Sequence, residues 1–212
     1  MAEIDDWIKA GKIAAEALEY GRKLIKPGKS MLELCDDVDK KIKQLGGQPA
    51  FPSQVSCDHV AAHFCPAPED KTVFDKQVVS LDVGVHVNGA IGDNATTVDL
   101  SGNHTDLIKA SRDAVDAALK IIQIGTTLGE IGKTIQDVIV SHGFVPVKNL
   151  SGHGLDRFSI HTGPTIPNIA TNDPTELTDG MFIAIEPFAS TGSGMVQDSG
   201  ESTLFSLSEM KG

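Results

Sequence analysis

One segment of the chain recurs at a constant spacing, and this recurrence narrows the possible folds more than any single motif does. A shift of 97 residues lays Gly28 on Gly125, Ser30 on Thr127 and Glu33 on Glu130. The same shift lays Leu34 on Ile131, Val38 on Ile135, Ile42 on Ile139 and Gly46 on Gly143. Ser30 with Glu33, and Thr127 with Glu130, have the spacing of a capping box. The apolar residues that follow mark one helical face, and a glycine closes each helix. Another amphipathic stretch precedes each copy. The first places Ile4, Trp7, Ile8, Ala14, Ala15, Leu18 and Ile25 near a helical period and stops at Lys26-Pro27-Gly28. The second runs from about Asp106 to Ile122 and ends near Gly125. A duplicated helix–helix–strand unit explains the matches. Two unrelated capped amphipathic helices would align over the same positions.

Between the copies, Val78 to Val87 alternates, with Val79, Leu81, Val83, Val85 and Val87 on one side. Asn88-Gly89 is a strong signal for a two-residue hairpin turn, and Ala90 to Leu100 supplies the returning strand. If Val87 faces Ala90, Gly84 lies opposite Asp93 and Asp82 opposite Ala95. Asp82 and Asp93 then project from one face as diagonal neighbours, roughly 7–8 Å apart at Cα. Carboxylates at that separation can reach inward to hold a metal pair about 3.5–4 Å apart. Two solvated aspartates on an exposed sheet face would satisfy the same pattern.

Later in the chain, Phe144 to Val147 reads as a strand and Gly152-His153-Gly154 as a glycine-rich loop whose small residues turn the imidazole inward. His161 follows eight residues after His153, and Glu186 ends a short apolar run, Met181 to Glu186, that reads as a buried strand. Two aspartates, a histidine and a glutamate form an oxygen-rich donor set suited to Mn, Fe, Co or Zn. A histidine beside glycine is, taken alone, more often a turn residue.

The charge balance excludes other classes of function. With 212 residues, 40% hydrophobic and 22% charged, the chain has the make-up of one globular domain. A net charge of −11 with no basic run argues against nucleic acid or an anionic membrane as partner. Cys35, Cys57 and Cys65 form no C-x-x-C pattern, so a reduced, cytoplasmic setting is expected and a thiolate zinc site is not. The acidic N-terminus has no secretory apolar core, and no apolar run reaches membrane-spanning length.

Four stretches resemble the type II methionine aminopeptidases of peptidase family M24, in that family's order and spacing. They are AFPSQVSCDHVAAHFCP, LDVGVHVNGAIGDNATTVDL, NLSGHGLDRFSIHTGPTIPN and FIAIEPFASTGSGMV. The resemblance runs from the first helix to about Leu207. It implies an α+β pita-bread fold with pseudo-twofold duplicated halves, residues 1–100 and 101–212 of a single catalytic domain. It also implies that the family's C-terminal part is missing. Carried over position by position, Asp82, Asp93, His153 and Glu186 match metal ligands for two divalent cations. His63 and His161 match substrate-contacting catalytic histidines, and Glu186 serves also as general base. Phe51 and Ile160 match the lining of a methionine side-chain pocket. Asp58 stands where the family has an asparagine, while His59, His86, His104 and His142 match no functional position. A fifth family ligand, a glutamate on a late strand, has no match, and neither Glu201 nor Glu209 takes its place. The implied activity is removal of the N-terminal methionine from nascent polypeptides by a monomeric enzyme. The same fold also serves X-Pro aminopeptidases, prolidases and non-catalytic binding proteins.

Overall fold

A computed structural model describes residues 2–200, so Glu201 and Glu209 lie outside the described residues. The first helix, α1 (Ala2–Leu24), leads into α2 (Met31–Gln44). It packs through Trp7, Ala10, Ile13, Ala14 and Ala17, and leaves Ile4, Ile8 and Ala15 exposed. This corrects the apolar face read from the sequence. The small side chains at 10, 14 and 17 let the helix axis lie close over the sheet, and this close approach, more than hydropathy, selects the buried face.

Two short strands, β1 (Gln48–Pro49) and β2 (Gln54–Cys57), share one edge of β3 (Val78–Val87), and β4 (Ala90–Asp99) pairs along the other. Asn88 (φ +52°) and Gly89 (φ +90°) make the tight turn, and Val87 faces Ala90 as expected. Val79, Leu81, Val83, Val85 and Val87 enter a core shared with α1 and α2. The other face, with Asp82 and Gly84, is turned away from that core.

The second unit comprises α3 (Thr105–Ile121), α4 (Leu128–Ser141), β5 (Val145–Pro146), β6 (Ser151–Asp156), β7 (Ser159–Pro167), β8 (Phe182–Ala184) and β9 (Ala189–Ser190). The duplication is physical. The shift of 97 lays α2 on α4 end to end, β1 on β5, and the first residue of β2 on that of β6. Gly28 and Gly125 share positive φ (+86° and +89°), as do Gly46 and Gly143 (+85° and +82°). The C-cap residues Leu45 and His142 donate to equivalent carbonyls, including Ile42 O and Ile139 O. The capping boxes differ. Thr127 and Glu130 exchange both bonds, whereas Ser30 only accepts from the Glu33 amide, because Lys29 engages the Glu33 carboxylate.

The equivalence continues into the strands with a shift of 104. It lays residues 79–82 of β3, which pair with β2, on 183–186, the end of β8 and the two residues beyond it, and residues 85–86, which pair with β1, on β9. Asp82 therefore falls on Glu186. The second-half strand is broken where the first-half strand is continuous.

α3 and α4 enclose a second core built on Ala114, Ala118, Leu128, Ile131, Ile135 and Ile139. A third, small apolar cluster joins the halves. Trp7, Ala90 and Ile91 meet Leu155, Ile160 and Phe182, and Trp7 stacks on Phe182 at 3.7 Å. Beside it, Arg157 reaches Asp6 at 3.1 Å and the carbonyl of Asn88 at 2.6 Å, clasping the two hairpin tips. Among the described residues, no helix is long and apolar enough to cross a membrane.

Candidate active site

Asp82 and Asp93 stand as the hairpin register requires. Gly84 faces Asp93 and Asp82 faces Ala95, so both carboxylates leave the ribbon on its non-core face. A Cβ at Gly84 would lie 2.2 Å from Cε1 of Phe51, so the Phe51 ring lies against the bare backbone at the foot of the aspartates. Asp58, in a left-handed conformation (φ +54°), accepts a hydrogen bond from the Val78 amide at 2.9 Å and so holds the start of β3.

The second half supplies the remaining groups. His153 lies inside β6, not in a loop as the flanking glycines suggested. Those glycines serve close packing: a Cβ at Gly152 would meet the Ala184 carbonyl oxygen at 2.1 Å, and one at Gly154 would meet that of Gly163 at the same distance. Strands β7 and β8 therefore pack tightly along the two edges of β6, fixing the backbone that carries His153. Glu186 sits two residues beyond the end of β8, so the strand expected from Met181 to Glu186 is shorter than read. His161 comes from β7, a strand that the sequence reading did not anticipate, and His63 from the loop after β2, with φ +66°.

A cavity of about 460 Å³ is lined by His63, His153, His161 and Glu186, with Ser151, Thr165 and Phe188 among its walls. The rings of His153 and His161 meet edge to face at 4.5 Å, and those of His63 and His161 lie 6.4 Å apart. His153 links the halves. Its Nε2 lies 2.9 Å from Glu186 Oε1 and 3.8 Å from Asp93 Oδ2. Its Nδ1 is 3.1 Å from the Gly154 carbonyl. A carbonyl can only accept, so Nδ1 carries a proton, and in the neutral ring the Nε2 lone pair faces the carboxylates.

The charge balance here is unfavourable for the protein alone. Burial, then the charges of Asp93 and Glu186, push the Asp82 carboxyl up to about 8. Burial and Glu186 push Asp93 up to about 7. Burial alone would lower His153, but the Glu186 and Gly154 contacts and Asp93 outweigh it and raise the imidazole above its ordinary value. Burial and the neighbouring His153 and His63 lower His161, which is therefore neutral at pH 7. Among the described residues Glu186 Oε1 is buried without a directed hydrogen bond, although it is close enough to His153 for an ion pair.

Among the described residues, no three of these donors already converge into a closed cage. The donor set nevertheless fits a divalent cation. Three carboxylates face a single imidazole, and one carboxylate oxygen is buried without a directed partner. A cation would supply the missing positive charge.

Like Asp82 and Asp93, the sequence candidates Phe51 and Ile160 lie outside the lining of the histidine cavity, Phe51 against Gly84 at the foot of the aspartates and Ile160 in the cluster between the halves. His142 contacts Asp113 at 2.9 Å, and His86 lies edge-on to Phe158. His59 and His104 are exposed, and none of these four histidines lines the cavity. No sequence signal marked Asn168, which is buried and bonded to the Glu186 backbone.

Comparison with known proteins agrees with this architecture. Residues 6–204 match the model of metallopeptidase family M24. A methionine aminopeptidase of Methanocaldococcus jannaschii is 47% identical over 192 residues, covering 90% of this chain and 65% of that protein. One from Archaeoglobus fulgidus is 44% identical, covering 94% of this chain and 69% of the relative. The chain thus spans about two thirds of the length of these relatives. Among solved structures, the methionine aminopeptidase of Thermotoga maritima superposes with a TM-score of 0.83 at 34% identity, covering 90% of this chain and 81% of that one. The duplicated halves are those of the pita-bread fold, and the chain belongs to metallopeptidase family M24, among its methionine aminopeptidases.

Proposed function

We propose that this chain removes the N-terminal methionine from nascent polypeptides, acting in the cytoplasm as a monomeric, single-domain enzyme. The observation that carries this reading is the meeting of His153, Glu186 and Asp93 across the two halves beside a cavity walled by His63 and His161. Asp82, Asp93, His153 and Glu186 would hold two divalent cations, of Mn, Fe, Co or Zn. Bound there, such cations supply Lewis acidity toward a carbonyl and draw the pKa of water toward neutrality.

Glu186 takes the proton of the attacking water and returns it to the departing amine. Neutral His161 has one ring N–H to donate, and it offers this to the carbonyl oxygen as negative charge develops. His63 faces the same space from the first half and steadies the leaving group. The surplus of carboxylates favours a substrate with a free α-amino group over an internal peptide bond. Phe51, beside Gly84, offers an aromatic face to the methionine thioether, and Ile160 adds apolar surface from the cluster between the halves.

The test is calorimetric titration with Mn2+ together with methionine release from Met-Ala-Ser. Binding with release, both lost in Asp82→Asn, is the expected result. A wild-type chain that neither binds Mn2+ nor releases methionine would sink the proposal.

A further inference from the structure

The strand that carries Glu186 is interrupted where its first-half counterpart is continuous. Asp82 is flanked by Gln54 on β2 and Ala95 on β4. In the second half, β8 leaves β6 after the His153–Ala184 pair, and Ile185, Glu186 and Pro187 belong to no strand. Proline has no amide hydrogen to continue a ladder. The Glu186 carbonyl would therefore lack a sheet partner in a partly buried position.

Asn168 supplies one. Its Nδ2 donates to Glu186 O at 2.8 Å and to Leu150 O at 3.0 Å. Because both acceptors are carbonyls, the orientation of the amide is fixed. The residue is only 1% exposed, and among the described residues its Oδ1 finds no hydrogen-bond partner. A buried, unsatisfied oxygen costs free energy, so packing alone would favour an apolar side chain here. Leu150 lies three residues before His153, so one side chain ties together the segments bearing both second-half donors.

We propose that Asn168 is a positioning residue that pins the Glu186 backbone to the start of β6 and so holds the carboxylate against His153. This inference rests on Glu186 and His153 being ligands as proposed above. The broken strand frees the Glu186 side chain to turn into the cavity, and Asn168 replaces the rigidity that the ladder would have given. Partners of this kind orient ligands, and their removal weakens metal binding by about 10–100-fold.

The experiment compares the full chain with Asn168→Ala, the milder Asn168→Ser, and Ile135→Val, a change in the fully buried second core. Mn2+ affinity is read by calorimetry, thermal stability in the same samples, and methionine release in parallel. Asn168→Ala is expected to weaken Mn2+ about 10–100-fold, and Asn168→Ser less. Ile135→Val should lower the melting temperature while leaving affinity within about twofold. Unchanged Mn2+ affinity in both Asn168 variants overturns the proposal, as does an equal loss in Ile135→Val. A wild-type chain that binds no Mn2+ instead removes the ligand reading beneath it.

Discussion

The first half carries its two aspartates on a hairpin of two unbroken ten-residue strands. The second carries Glu186 in the gap between strands of three and two residues. Both halves contain an equivalent N-capped helix, closed by a glycine at the same place, and the larger divergence lies in the sheet. In the first half five residues of β3 are buried in the core. In the second, Ile183 and Ile185 only partly enter theirs. One unit carries its donors on a continuous ladder, and its copy carries Glu186 where the described ladder stops, held there by Asn168.

The sharpest way to break this contrast is to remove one carboxylate from each half. Glu186→Gln, which keeps the shape and loses the base, should cut methionine release about 10²–10⁴-fold, with a smaller effect on Mn2+ affinity. Asp82→Asn should act chiefly on affinity. If both variants lose turnover and affinity in the same ratio, the division of roles between halves is wrong.

Core truncation comes next. Leu81→Ala, at a fully buried site in the continuous strand, should cost about 2–5 kcal/mol in urea unfolding. Ile183→Ala, in the short strand and only partly buried, should cost less. The reverse order would show that the broken strand is the better packed.

A pH series on the metal-free chain probes the aspartates directly. Asp93 at about 7 and Asp82 at about 8 lie above the ordinary aspartate value of 3.8. The stabilisation linked to their neutral forms is therefore complete below pH 3.8 and is lost as pH rises through 7 and then 8. Urea midpoints should fall between pH 5.5 and 8.5 without metal, and Mn2+ affinity should rise over the same interval because ligands must shed protons. A midpoint that rises with pH would contradict the burial of the pair. The smallest effect belongs to the caps. Thr127→Ala, losing the hydroxyl's bonds to the Glu130 amide and carboxylate while keeping its own backbone amide bond, should cost about 1 kcal/mol, and Ser30→Ala less, by the same denaturation measurement.

Much of this was legible in the sequence because it is local. The hairpin register follows from Asn88-Gly89, and it alone sets Asp82 and Asp93 on one face. The constant spacing of caps and glycines exposed the duplication. What escaped the reading depends on contacts between distant segments. Nothing local shows that α1 buries Ala10 and Ala17 while leaving Ile4 and Ile8 in solvent, because the sheet it approaches comes much later in the chain. His153 reads as a loop residue because the strands that crowd its glycines are formed by other segments. Pro187 could have signalled the break after Glu186, since proline leaves a ladder. Asn168 had no signal, because its partners Leu150 and Glu186 each lie 18 residues away and both bonds are to backbone.

The clasp of Arg157 on Asp6 spans 151 residues of chain. During synthesis the first hairpin, with its aspartates, can finish well before Arg157 or Glu186 has left the ribosome, since domains form from the N-terminus onward. The cleft can form only after that hairpin, once Glu186 has followed, and until then the growing chain exposes the two aspartates with no imidazole facing them.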